Sequence, residues 1–130
     1  MAVTRHPARA LVLIGVGGGG GAVARHLLTQ TLMGADHPLP WPALAVNVLG
    51  CLLTGLLTGE LTRHPLHRMP VKALLGTGFL GGFTTFSHLV DGVRELTVGG
   101  AAGWAVLCLV LSVVLGLPAV WAGLRLGGRR

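Results

Sequence analysis

The residues best suited to binding something lie in one run, Gly78-Phe-Leu-Gly-Gly-Phe-Thr-Thr-Phe-Ser87. Thr84, Thr85 and Ser87 supply hydroxyls, and Gly81-Gly82 leaves backbone open to approach. Phe86 adds a ring edge, the positive part of an aromatic quadrupole. Two more polar groups sit in otherwise apolar surroundings, Asn47 and Arg25. Hydroxyls, an amide and ring edges suit a small anion. Carbonyls exposed at a helix break suit a cation, and one site serves both if a trapped cation supports it. For Asn47 an interhelical hydrogen bond and a ligand contact are equally good readings. For Arg25, snorkelling to the interface competes with drawing an anion into a vestibule.

These residues are embedded in membrane-spanning material. Only 11% of the 130 residues are charged and 52% are hydrophobic, against roughly 25% charged in an average soluble domain. Runs without charge cover Ala10–Ala24, Trp41–Gly59, Ala73–Val90 and Leu96–Leu124. A transmembrane helix needs roughly 20 mostly apolar residues. The first run qualifies if it continues past Arg25. The expectation is an all-α membrane protein, one integral membrane domain over 1–130, with helices near 10–33, 41–61, 71–96 and 99–126. Irregular backbone at membrane depth survives only beside protein or a water-filled cavity. The third helix is therefore expected to break at Gly81-Gly82, next to a site. Pro38, Pro40 and Pro42, then His64-Pro65 and Pro70, then Gly99-Gly100, mark the connections. Trp41, Trp104 and Trp121 fall near helix ends, as interfacial aromatics do.

The net charge of +6 does not point to nucleic acid. With four spans, the N-terminus, the second connection and the C-terminus share one side. That side holds Arg5, Arg9, Arg63, Arg68, Lys72, Arg125, Arg129 and Arg130, eight of the ten Lys and Arg. The bias places both termini in the cytoplasm and brings basic residues to anionic lipid. Four other patterns have plain structural accounts. Ala22-Val-Ala24 after a basic start has the look of a signal-peptidase site, but the run before it is too glycine-rich for a signal core. Gly15-Val-Gly-Gly-Gly-Gly20 satisfies a dinucleotide fingerprint without a strand before it. Gly17/Gly21 and Gly55/Gly59, four apart, read as close-packing faces. Cys51 and Cys108, both in apolar runs, read as small hydrophobes.

Gly81-Gly-Phe-Thr-Thr-Phe-Ser87, in the third of four short helices, resembles the signature of the small bacterial fluoride channels, the Fluc or CrcB family. Gly-Gly-Ala-Val-Ala-Arg25 and Val46-Asn47-Val-Leu-Gly50 resemble its first and second helices, so the resemblance covers nearly the whole chain. It implies a dual-topology-type antiparallel dimer in the cell inner membrane, with two pores that export fluoride passively and relieve its toxicity. It implies a central structural Na+, and no organic cofactor. Mapped onto this sequence, the Na+ carbonyls belong to Gly81 and Thr84. Asn47 is the pore asparagine, Phe86 the first aromatic of the pore wall, and Arg25 the arginine ending helix one. Asn47 and the Thr85 and Ser87 hydroxyls are the expected donors, with Ser112 on a polar track in helix four.

The sequence departs from the family directly afterwards. Where the family reads Thr-Thr-Phe-Ser-Thr-Phe, this chain has His88 and Leu89 in the last two places, and Gly92 with adjacent Asp91 at a usually acidic position. A self-paired antiparallel dimer needs one sequence inserted both ways, and eight basic residues against two favour one orientation. The expectation is a pair with an oppositely oriented homologue, as two-gene members of the family form. Two other classes are weighed. A small proton-coupled drug exporter needs a membrane-embedded carboxylate, and Asp36, Glu60, Asp91 and Glu95 all lie at or beyond span ends. A non-conducting assembly subunit is compatible with Leu89.

Overall fold

The computed structural model describes residues 7–32, 40–63, 68–84 and 86–129. Helix α1 is Pro7–Leu32 and α2 is Trp41–Arg63. A short α3, Arg68–Val71, runs into a π-helical stretch, Lys72–Leu80, and then α4, Gly81–Phe83. After an interruption, α5 covers Phe86–Val98 and α6 covers Ala102–Gly127. α1, α2, the third span over Met69–Val98, and α6 are each long and apolar enough to cross a membrane. The chain is a multi-pass membrane protein.

The helices differ from the expected ranges at their ends. α1 begins at Pro7, where a missing N–H costs nothing in a first helical turn. α6 begins at Ala102 rather than Gly99, because the preceding residues close α5. Gly100 takes φ 80°, its N–H donates to Thr97 O, and the Ala101 N–H donates to Leu96 O. That pairing is a Schellman cap, and glycine suits its left-handed residue. Pro118 lies inside α6, where it cannot donate to the residue one turn earlier.

The four spans assemble as two pairs. α1 packs on the third span and α2 on α6, with fewer contacts between the pairs. Both seams are backbone on backbone. A Cβ at Gly17 would collide with Leu74 O and lie 3.1 Å from Gly78 Cα; one at Gly21 would strike Phe79 O. In the other pair, a Cβ at Gly55 would collide with Val120 O and lie 3.0 Å from Gly123 Cα, and one at Gly59 would lie 2.7 Å from Leu124 O. Gly17/Gly21 and Gly55/Gly59 are thus the packing faces read from their spacing. Their counterparts are Gly78/Gly82 and Gly123/Gly127, a complementary set with the same four-residue spacing. Without a hydrophobic driving force between helices in lipid, such close approach is what holds them together.

Residue numbers rise together across each seam, so each pair is parallel. The start of α1, the end of α2, the start of α3 and the end of α6 therefore gather at one end of the bundle. Arg9, Arg63, Lys72, Arg125 and Arg129 belong to that end, and the Arg125 guanidinium sits 3.9 Å over the Trp121 ring. Arg5, Arg130, Met33, Asp36, Pro38 and His64-Pro65 lie outside the described residues.

Candidate functional site at the break in the third span

The third span changes character twice. Its π-helical stretch ends at Leu80, and helical backbone continues through Gly81-Gly82 to Phe83. The chain leaves the helix at Thr84, with φ −80° and ψ 145°. The interruption expected at Gly81-Gly82 is thus a change of helix type there, followed by an extended residue at Thr84. The Thr84 N–H and hydroxyl both donate to Leu80 O, at 2.9 Å each. Glycine at 50 makes room for this turn: a Cβ there would run into the Thr84 Cγ2 methyl.

Beside the break lies a cleft of about 310 Å³ lined by Asn47, Cys51, Thr54, Thr84, Phe86 and Val120. Asn47, Cys51 and Thr54 are spaced 0, 4 and 7 along α2, so one helical face carries them. Phe86 opens α5 and is 73% exposed. The amide of Asn47 has two N–H donors and one acceptor oxygen. Thr54 donates its hydroxyl to Gly50 O at 2.8 Å. That leaves the Thr54 oxygen, rather than its proton, toward the cleft.

The structure brings Asn47, Thr84 and Phe86 together. Ser87 is exposed in the first turn of α5, outside the cleft lining. Ser112 is half-buried in α6 and donates to Cys108 O at 2.8 Å. Cys51 Sγ lies 3.4 Å from where a Gly116 Cβ would be, and one turn earlier in the same parallel register Ser112 stands level with Asn47. Arg25 is half-buried on α1, one turn past Gly21 and so on the α1 face that packs on the third span. Gly81 is exposed, with nothing within 4 Å of a Cβ built there. Thr85 lies outside the described residues.

The two departures part ways. His88 is exposed on α5. Leu89 is 5% exposed and packs with Cys108, against Val93 and Leu111. Within this chain Leu89 is a core residue between α5 and α6, and Phe86 is the aromatic on the cleft. Cys51 is a cleft residue as well as a small hydrophobe, and Thr54 was not legible as a site residue. Its signal was the i, i+4, i+7 spacing from Asn47. Among the described residues no group of three or more His, Cys, Asp or Glu could hold a metal.

The chain is a four-span helical bundle with two glycine seams, interrupted beside a small cleft that holds Asn47, Thr84 and Phe86. The sequence model of the family described as "CrcB-like protein, Camphor Resistance (CrcB)" matches residues 12–124. The chain is 45% identical over 121 residues to a protein of Symbiobacterium thermophilum named "Fluoride-specific ion channel FluC 1", covering 92% of this chain and 98% of that one. It is 39% identical to "Fluoride-specific ion channel FluC" of Bacteroides fragilis, covering 90% and 94%, and 38% identical to that of Agrobacterium fabrum, again covering 90% and 94%. The chain belongs to the CrcB family.

Proposed function

We propose that this chain is a subunit of a fluoride-specific channel that lets cytoplasmic fluoride leave the cell passively. The observation that carries this reading is the convergence of Asn47, Thr84 and Phe86 on one cleft at a helix break within an apolar bundle. Relatives sharing up to 45% of its residues, among those compared, are named fluoride-specific channels. Fluoride is small and strongly hydrated, so a pore must replace its water with hydrogen-bond donors in a space too narrow for larger anions. The Asn47 amide and the Phe86 ring edge are the donors the cleft offers. Ser112, level with Asn47, extends the polar path once its hydroxyl turns from Cys108 O. Thr85 and Ser87 belong to the same reading, beside the break. Arg25, one turn above the seam, raises the anion concentration nearby.

The Na+ ion that the family resemblance implies fits the local chemistry. Carbonyl oxygens are hard ligands suited to hard cations. A helix end leaves its last carbonyls without partners in the helix, and the backbone leaves the helix at Thr84 while Gly81 stands in open space. The Gly81 and Thr84 carbonyls would hold the ion, whose fixed positive charge would stabilise the break. Two carbonyls from one chain are too few, which favours a site shared with a second subunit.

An antiparallel dimer also accounts for exposed apolar surface. Between the two helix pairs lies a second, apolar cleft of about 660 Å³, whose walls include Leu53, Leu57, Leu75 and Phe79. Phe86 is exposed beside the break. A second subunit would cover both. The basic bundle end favours a single orientation in the inner membrane, both termini cytoplasmic, paired with an oppositely oriented homologue. Fluoride efflux from liposomes holding this chain alone, then with a homologue of reversed charge bias, tests this. Flux only from the mixture supports the pair, and robust flux from the chain alone refutes it. Finding tagged termini on both sides of the membrane would refute the fixed orientation.

A further inference from the structure

The walls of the cleft belong to different helix pairs. Asn47, Cys51, Thr54 and Val120 come from the α2–α6 pair, and Thr84 and Phe86 from the third span. The glycine seams hold each pair within itself and leave the distance between these walls open. Beside the cleft the pairs meet where Thr84 touches the buried Gly50. A Cβ on Gly50 would run into the Thr84 Cγ2 methyl, while its next neighbours, Phe83 Cδ1 and Thr84 Cβ, lie at an ordinary 3.6 Å. The methyl therefore fills the notch that the missing side chain leaves. Its place is fixed by the hydroxyl on the same carbon. That hydroxyl donates to Leu80 O at 2.9 Å, and with two heavy atoms on Cβ, fixing one fixes the other. The turn beneath is anchored in its own pair: Leu80 and Phe83 are buried, and a Cβ at Gly21 of α1 would come within 2.8 Å of Phe83 N. Gly50 follows Asn47 by three residues on α2, so the notch and the amide move as one body.

We propose that Gly50 and the Thr84 side chain form a positioning pair: the methyl seated in the Gly50 notch sets how far Asn47 stands from the break, and so how strongly the cleft prefers fluoride to larger anions. The functional half of this rests on the fluoride-channel reading; the contact itself does not. A pore replaces the water around a small ion only at the right width. Threonine suits the task because it carries both parts. Serine would make the bond to Leu80 O without the methyl, and valine would bring methyls without the bond. Neither the Gly50 hydrogen nor the Thr84 methyl offers a donor to an anion, so the pair acts through the groups it spaces. A side chain at 50 would push Thr84 off α2 and part the walls. Once the methyl is gone, the same side chain has room.

A cycle of four forms tests this: the unsubstituted chain, Gly50→Ala, Thr84→Ser and the double variant. Thermal unfolding in detergent reads the contact. Gly50→Ala should lower the melting temperature far more in the unsubstituted chain than in the Thr84→Ser background, the non-additivity of residues in contact. A double variant that folds where Gly50→Ala does not is the same result. Equal losses in both backgrounds overturn the contact, whether or not fluoride flows. Fluoride and chloride efflux from liposomes, with the chain reconstituted alone and with a homologue of reversed charge bias, read the role. Gly50→Ala should lower fluoride efflux about 10-fold or more, the scale of carrying a donor out of reach of its ion. It should also lower the ratio of fluoride to chloride efflux, which a smaller amount of folded protein would leave unchanged. In the Thr84→Ser background the same substitution should move both readings much less. An unchanged ratio in Gly50→Ala, or an equal fall in both backgrounds, overturns the role in spacing the cleft. Coupled melting temperatures with no fluoride efflux in any form would leave the contact standing and defeat the channel reading instead.

Discussion

The α2–α6 seam and the cleft at the break share α2 and are built from opposite materials. Toward the basic end, α2 presents Gly55 and Gly59, and the backbone of α6 lies directly on them. Toward the other end it presents Asn47, Cys51 and Thr54, and the neighbouring chain stands off to leave a cleft. In the seam, small residues bring helical backbones together whose polar groups are already paired internally. At the break, Thr84 takes the chain out of helix and uses its own side chain to hold the turn on Leu80 O. The seam fixes where the cleft is; the cleft gathers the polar side chains Asn47, Thr54 and Thr84. α1 repeats the lesson against the third span, where Gly17 and Gly21 seat the segment that leads into the break.

Substitutions should separate these regions. The largest effect is expected in the seam: Gly123→Leu places a side chain into Leu52 O, with Leu56 N 2.7 Å away. Overpacking costs roughly 1–3 kcal/mol where neighbours can move, and backbone moves least. Thermal unfolding in detergent should show a loss at or above that range. In the cleft, Asn47→Ala should cost less stability than Gly123→Leu and lower fluoride flux about 10-fold or more, the scale of losing a hydrogen bond to a charged group, roughly 1.5–3 kcal/mol. Phe86→Leu should lower flux less, about several-fold, because a ring edge is a weaker partner than an amide. The smallest effect comes from a glycine outside either region: nothing lies within 4 Å of a Cβ at Gly19. Gly19→Ala should keep flux unchanged and hold or slightly raise stability, since alanine in a helix interior gains up to about 1 kcal/mol over glycine. A stability loss in Asn47→Ala as large as in Gly123→Leu would erase the distinction.

Much of this was legible in the sequence. Charge-free runs located four spans because hydrocarbon tolerates little else, and Gly17/Gly21 and Gly55/Gly59 announced two faces. Their counterparts Gly78/Gly82 and Gly123/Gly127 have the same spacing, but which stripe meets which depends on helix order in space, which spacing alone does not encode. The π-helical character of Lys72–Leu80 left no sequence mark, since it depends on how the span seats against α1. The glycines suggested a break two or three residues too early: Gly81-Gly82 permits irregular backbone, whereas Thr84 is where it occurs. Asn47 and Phe86 were recognisable by chemistry, and Thr54 only once α2 had a defined cleft face. Leu89 read as a departure in a binding motif, and its burial on Cys108 is a matter of packing that the motif does not record.

The central claim is that the cleft at the break is a fluoride path. Its most direct test is fluoride efflux from liposomes, read with a fluoride electrode, for the chain reconstituted alone and with a homologue of reversed charge bias, comparing the unsubstituted form with Asn47→Ala and Gly19→Ala at matched amounts of folded protein. Fast efflux retained in Gly19→Ala and reduced about 10-fold or more in Asn47→Ala is the expected result. Equal efflux from all three would contradict the claim.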